Sequence, residues 1–468
     1  MEERYDLIVI GSGPAGEKGA AQAAYFGKKV AVVEKEPEPG GAAVHTGTLP
    51  SKTLRETALF LSGHRSRALY GVAVSLADDA NLQTLMARKR AMAASESQRI
   101  RENLHRHGVE LIQGTARFVG PNTVEIVGGA PRRLEADRFL VATGSIPRRP
   151  DGIEFESDLI HDSDEILVIQ SLPKSMIVLG AGVIGCEYAC MFAALGISID
   201  LVDARPNILE FIDEEIRDRL CDEMMALGIR LRRGRRWGDI AVERIGSEEV
   251  GVSVVLDSGE TLRAQHLLFA AGRSGNTAKL GLDTVGVSPD ARGYLEVDEQ
   301  FRTSAHHVMA AGDVIGFPAL ASASMEQGRV AICHAFGFGY KQEVSDVIPY
   351  GIYTIPEVSA VGLTEQACRE KGIPCVVGRA RFRDNARGQI QGDLGGLTKL
   401  VVCAKTRKVL GVHVIGERAS ELVHLGQAAL ITGATVDLFI DMVFNFPTLS
   451  ETYKYAAYDC LGALAQSE

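Results

Sequence analysis

Residues Tyr5-Asp6-Leu7-Ile8-Val9-Ile10-Gly11-Ser12-Gly13-Pro14-Ala15-Gly16 run from an apolar strand straight into a glycine-rich turn. An alanine- and glycine-rich stretch follows and predicts a helix to about Phe26. A second strand, Lys29 to Val33, then ends on Glu34. A lone G-x-G-x-x-G is a weak signal. Between strand and helix, with a carboxylate 21 positions beyond its second glycine, it is the fingerprint of a dinucleotide-binding fold. Gly11 permits the tight turn, Gly13 lets the backbone approach a pyrophosphate, and Gly16 lets helix pack on strand. The pyrophosphate belongs at the helix N-terminus, where unpaired N–H groups and the macrodipole favour anions. Glu34 is placed to accept from a ribose hydroxyl, and Lys35 beside it is a further cofactor-binding candidate.

The pattern recurs. Met176-Ile177-Val178-Leu179 is a strand, Gly180-Ala181-Gly182-Val183-Ile184-Gly185 a second turn, and Cys186 to about Leu195 a helix. The next strand, Ser198 to Val202, ends on Asp203, again 21 positions after the middle glycine, here Gly182. Two complete fingerprints in one chain imply two dinucleotides. At the second, Asp203 suits the 2′-hydroxyl of NAD and repels the 2′-phosphate of NADP. Arg205, two residues on, is able to bind that phosphate. NAD(H) is expected to be the better ligand.

Composition sets the frame. The chain has 468 residues, 46% hydrophobic and 24% charged, which is a globular composition and too long for one ordinary domain. A net charge of −10 argues against nucleic-acid or anionic-membrane binding. The basic run Arg230-Leu231-Arg232-Arg233-Gly234-Arg235-Arg236 reads as a solvated strand edge or turn. No apolar run is long enough to span a bilayer, and Met1-Glu2-Glu3-Arg4 has no signal-peptide pattern. None of the eight cysteines forms a C-x-x-C pair, and no His/Cys cluster has metal-ligand spacing. No metal is expected, and the cysteine usage is a reduced, cytoplasmic profile. Cys186 and Cys190 share a face of one predicted helix and read as small buried apolar residues.

Gly40-Gly41-Ala42-Ala43-Val44-His45-Thr46-Gly47-Thr48-Leu49-Pro50-Ser51-Lys52 resembles the active-site segment of the pyridine nucleotide–disulfide oxidoreductases, G-G-T-C-x-N-x-G-C-x-P-S-K. The resemblance covers essentially the whole chain. It implies an α/β fold of two Rossmann-like dinucleotide-binding domains plus a C-terminal α+β dimerisation domain. FAD would be held by residues 1–150 and 276–345, NAD(P) by 151–275, and the dimer by 346–468. It implies that Lys52 and Glu187 pair beside the flavin, with His45 a candidate proton relay or structural histidine. Thr143-Gly144 marks the exit from the first fold and Gly272 the return, and Asp313 faces the FAD ribityl–pyrophosphate region.

Two departures remove one chemistry. The cysteine positions hold Ala43 and Thr48, and the H-x-H-P-T-x-S-E ending reads Phe444-Asn445-Phe446-Pro447-Thr448-Leu449-Ser450-Glu451. Thiol–disulfide exchange needs a thiolate, and neither a methyl nor a hydroxyl replaces it. The remaining chemistry is hydride transfer through the flavin. Gly180 to Ala189, Gly272 to Thr277 and Gly378 to Phe382 resemble the soluble pyridine nucleotide transhydrogenases of the family. That resemblance implies exchange of hydride between NAD(H) and NADP(H) by a homodimer or larger homo-oligomer. The residues leave open an NAD(P)H oxidase or quinone reductase, and a flavin-bound binding module that does not turn over.

Overall fold

The computed structural model describes residues 3–63, 82–128, 132–169, 171–245 and 250–466. Met1 and Glu2, the start of the charged N-terminal stretch, lie outside them.

The first sheet grows around β1 (Glu3–Ile10), which pairs in parallel with β2 (Val30–Glu34) and β6 (Arg132–Val141). Its order is β3-β2-β1-β6-β5-β4, with β3 Glu110–Gln113, β4 Thr115–Gly120 and β5 Thr123–Val127. β2 and the Leu7–Ile10 end of β1 are entirely buried. Near-continuous apolar runs such as Leu7-Ile8-Val9-Ile10 are what a parallel strand covered on both faces requires. Helix α1 (Pro14–Tyr25) packs on this sheet, with Pro14 at its first position, where a missing N–H costs nothing.

The expected second copy is present. β9 (Ser175–Leu179), α5 (Val183–Ala194) and β10 (Ser198–Asp203) repeat β1, α1 and β2. The sheet is fully parallel, ordered β11-β10-β9-β15-β8, with β8 Ile160–Asp162, β11 Arg230–Arg233 and β15 His266–Phe269. Cys186 and Cys190 are both buried on α5, and burial pushes the Cys190 thiol up to about 12. A separate antiparallel sheet of β12 (Trp237–Arg244), β13 (Val250–Leu256) and β14 (Thr261–Ala264) forms a meander.

The two crossings between these sheets pair with each other. β7 (Ser145–Pro147), leaving the first sheet, runs antiparallel to β16 (Arg273–Gly275), coming back. β17 (Val308–Ala310) then rejoins the first sheet beside β6. The C-terminal sheet is antiparallel, β18-β19-β22-β21-β20, over Tyr350–Ile352, Val358–Gly362, Val409–Ile415, Leu397–Cys403 and Cys375–Arg381 respectively. Among the described residues no helix is long and apolar enough to cross a membrane.

Helices α2 (Gly41–His45) and α3 (Thr48–Ser62) follow β2, and α4 (Leu82–Arg106) packs on α3. α3 also packs on α5: Leu54 and Leu59 share one apolar core with Cys186, Cys190 and Phe192, joined by Ile352 and Ile355 of the C-terminal part. Buried Arg55 ties α3 further to that part, through the Thr354 carbonyl at 3.0 Å and Glu357 at 3.1 Å. This packing fixes the helix that carries Lys52.

A buried ion cluster joins the second nucleotide fold to the C-terminal sheet. Lys399 on β21 is 2% exposed, and its ammonium reaches Asp213 at 2.9 Å and Glu365 at 2.8 Å. Burial raises the Asp213 carboxyl, but His413 and Lys399 more than offset it and hold it below the usual range. A depressed folded-state pKa stabilises above the unfolded value of about 4 and is lost as pH falls through the folded value. Lys399→Met strands Asp213 without its cation, so an unfolding midpoint measured at pH 7 is expected to drop by about 3–5 kcal/mol of stability. The variant's stability should also depend less on pH below 4.

Candidate active site

Both glycine turns are built the same way. Gly11 takes φ +101° and Gly180 φ +104°, which L side chains rarely adopt. A Cβ at Gly16 would stand 1.9 Å from the Gly11 carbonyl oxygen, and one at Gly185 would stand 1.8 Å from that of Gly180. By contrast, a Cβ at Gly13 or Gly182 would meet nothing within 4 Å. Each turn is therefore closed on its helix side and open towards the cleft. Neither α1 nor α5 has a side-chain cap, so the first N–H groups are left for a ligand.

The two carboxylates that end β2 and β10 are bonded to their own glycine turns. Glu34 is buried, and one oxygen accepts from the Ser12 N–H at 2.9 Å and the Ser12 hydroxyl at 2.6 Å. Asp203 accepts from the Ala181 N–H at 2.7 Å. Each acidic residue thus pins its own glycine turn. Ser12 was not singled out from sequence, because nothing local marks it as the partner of a residue 22 positions on. Lys35 lies in the cleft wall with its side chain half exposed, near Glu36.

One continuous cleft of about 2240 Å³ connects both turns. Lys52 and Glu187, 135 residues apart, meet in it at 2.7 Å. Glu187 is 5% exposed and Lys52 26%. The other Glu187 oxygen accepts from the Tyr353 N–H at 2.8 Å, and the Lys52 ammonium sits 4.7 Å from the Tyr353 ring centre. Tyr353 directly follows β18 of the C-terminal sheet, and no sequence spacing links it to Glu187, 166 residues away.

His45 lies in the wall of the cleft, and its Nε2 is 3.1 Å from the Pro39 carbonyl oxygen and 3.4 Å from the Ser97 hydroxyl. Thr143, Gly144, Gly272 and Asp313 all line the cleft. The Thr143 hydroxyl oxygen is buried without a protein partner. Burial raises the Asp313 carboxyl, opposed by a hydrogen bond from Ser145 at 3.1 Å and by Arg273. Arg273 in turn donates to the Ser145 hydroxyl and carbonyl, each at 2.8 Å. Arg273 and Ser145, the first residues of β16 and β7, are the link between the two crossing strands. A buried polar atom with no partner is rare. With the open Gly13, the uncapped α1 and the closed Gly16, the orphan Thr143 hydroxyl fits a bound dinucleotide.

Asp203 and Arg205 are not independent. The Arg205 guanidinium grips the Asp203 carboxylate through Nε at 3.0 Å and Nη2 at 2.8 Å. Burial raises the Asp203 carboxyl, but the Arg205 side chain and two backbone N–H groups outweigh it and hold it below the usual range. Ala43 and Thr48 line the cleft, and among the described residues no cysteine does. At the other end of the chain, Glu451 accepts from the Asn385 amide at 3.3 Å, and Phe446 is largely exposed.

Residues 5–328 match the pyridine nucleotide-disulphide oxidoreductase family, and residues 348–457 match that family's dimerisation domain. The chain belongs to this family and is an oxidoreductase. A soluble pyridine nucleotide transhydrogenase of Mycobacterium tuberculosis is 44% identical over 463 residues, covering 98% of each chain. A protein of the same name from Colwellia psychrerythraea is 40% identical over 465 residues, again covering 98% of each. Among solved structures, LpdA from Mycobacterium tuberculosis is 29% identical, with a TM-score of 0.86 over 97% of this chain and 99% of that one. The Escherichia coli flavoprotein disulfide reductase RclA, 24% identical with a TM-score of 0.86 over 96% of this chain and 98% of that one, shares the fold.

Proposed function

We propose that the protein is an FAD-dependent transhydrogenase that exchanges hydride between NAD(H) and NADP(H) without a redox-active disulfide. The observation that carries this reading is the single cleft joining two complete nucleotide turns, with the Lys52–Glu187 pair in its wall and no cysteine lining it among the described residues. Residues 1–150 and 276–345 hold FAD, residues 151–275 hold the nicotinamide nucleotides in turn, and residues 346–468 form a homodimer. The relatives named transhydrogenase and the dimerisation-domain match support this assignment.

Bound in the first fold, FAD supplies a ring that accepts a hydride from one nicotinamide and gives it to another. The chain's own residues bind and orient. The N–H groups at the start of α1 and α5 receive the two pyrophosphates. Glu34 and Asp203 hold the turns and present carboxylate oxygens to the riboses. Lys52 keeps a cation where negative charge develops, and Glu187, fixed by the Tyr353 N–H, holds that cation in place. Ala43 and Thr48 occupy the places a dithiol would take, so electrons have no route to a disulfide substrate.

Anaerobic stopped-flow mixing tests this. Both NADH and NADPH are expected to bleach the flavin, and both NAD⁺ and NADP⁺ to restore it. Bleaching by NADH alone, with recovery only on adding a quinone, would favour the reductase reading instead.

A further inference from the structure

The basic run that the sequence presents as a solvated edge folds back onto the second nucleotide turn. β11 pairs in parallel with β10, in a register that sets Arg233 opposite Asp203. Beyond it the chain doubles against the loop after β10. The Gly234 N–H donates to the Arg205 carbonyl at 2.9 Å, and the Arg235 N–H donates to the Asp203 carbonyl at 3.0 Å. The Arg235 backbone therefore stands against the two residues that close the fingerprint, with its exposed side chain outside the cleft lining that Asp203 and Arg205 share. Trp237, two positions further on, lines the cleft.

Charge and backbone contacts together separate this arginine from its neighbours: Arg236, also exposed and without an ion pair among the described residues, has its carbonyl turned to β13 and β14, accepting from the Asp257 N–H at 2.9 Å. Arg230 and Arg232 are held by Asp200, at 2.7 and 3.1 Å. Arg233 lies 3.9 Å from the Cys221 sulfur. Arg235 is exposed, and among the described residues its guanidinium has no ion-pair partner. Arg205, meanwhile, has two of its nitrogens on Asp203. That pair is neutral overall. A 2′-phosphate brings nearly two negative charges, and a pair that only cancels itself offers no net attraction. A second cation is needed, and the doubled-back turn supplies one.

We propose that Arg235, beside Arg205, binds the 2′-phosphate of NADP(H), so that one pocket takes both nucleotides: Asp203 serves the ribose of NAD(H), and the Arg205–Arg235 face serves the phosphomonoester. This rests on the transhydrogenase reading only in naming the ligand, since the site itself binds an adenosine 2′-phosphate whether or not hydride moves.

Isothermal titration of the flavin-loaded protein with adenosine 2′,5′-bisphosphate and with 5′-AMP reads the site without turnover. The unsubstituted protein is expected to bind the bisphosphate more tightly, with the steeper loss of affinity as salt is raised. In Arg235→Ala the ratio of the two dissociation constants should shift against the bisphosphate by roughly tenfold or more, and in Arg235→Glu by more still. Arg235→Lys should recover part of it. An unchanged ratio, an equal loss for both probes, or an unsubstituted protein that prefers 5′-AMP overturns the proposal. A shifted ratio together with no exchange between the nucleotides leaves the site standing and sinks the transhydrogenase reading. Exchange that persists with an unchanged ratio does the reverse.

Discussion

Lys52→Met is expected to slow flavin reduction by either nucleotide roughly 10²- to 10³-fold, the range found when one preorganised charged or polar donor is removed from an active site. The ammonium is held from three sides: the Glu187 carboxylate at 2.7 Å, the Ser51 hydroxyl at 3.3 Å and the Tyr353 ring at 4.7 Å. A cation fixed this way needs no reorganisation when negative charge develops nearby, whereas a water molecule in its place would. Methionine keeps the length and packing of the side chain on α3 and deletes only the charge. The variant leaves Glu187 with the Tyr353 N–H at 2.8 Å and no cation, so a second effect on the reach of α3 towards α5 is built in. Glu187→Gln separates the two, because it keeps an oxygen for that N–H while weakening the hold on Lys52, and its loss of rate should be smaller. Stopped-flow traces normalised to flavin content give the comparison. A Lys52→Met rate within threefold of the parent would remove Lys52 from the chemistry.

Gly16→Ala and Gly185→Ala should fail in different ways. In each case the new methyl meets a backbone carbonyl oxygen, at 1.9 Å and 1.8 Å respectively, and a backbone atom cannot rotate away. The helix has to slide off its strand, which opens the glycine turn and spoils the anion site at the helix N-terminus. Overpacking of this kind costs about 1–3 kcal/mol or more. Gly16→Ala is expected to purify with little flavin. Gly185→Ala is expected to keep its flavin and to bind nicotinamide nucleotides at least roughly 100-fold more weakly, the equivalent of about 2.7 kcal/mol. The ratio of flavin to protein absorbance and a nucleotide titration read both. Loss of flavin from Gly185→Ala alone would mean that the two turns have their ligands exchanged.

The local features were legible in the sequence because they are local. Glycines at fixed offsets between an apolar strand and a small-residue helix specify Gly11, Gly16, Gly180 and Gly185 in the conformations found. The strand runs Tyr5–Ile10 and Met176–Leu179 likewise lie at the centre of their sheets. Contacts across the chain left no such mark. Lys52 and Glu187 were brought together only by family resemblance, since no periodicity links residues 135 apart. The pairing of the two crossing strands β7 and β16, and the Arg273–Ser145–Asp313 link at their base, depend on how two sheets dock. Asp203 and Arg205 were read as rivals for one ligand, and the structure shows them bound to each other. The basic run was read from its charge density as a solvated edge. That reading describes Arg230 to Arg233 as an edge strand but misses Gly234 and Arg235, whose backbone hydrogen bonds to the fingerprint depend on the parallel register of β11.

The most direct test of the central claim is anaerobic exchange between NADPH and a thio-analogue of NAD⁺, catalysed by purified protein with its flavin counted. Many turnovers per flavin, with a rate that needs both nucleotides and survives a thiol-blocking reagent, is the result expected of hydride passing through one cleft without a disulfide. Rapid bleaching of the flavin by NADH with no transfer to the thio-analogue would contradict it, and would send the electrons to an acceptor that is not a nicotinamide.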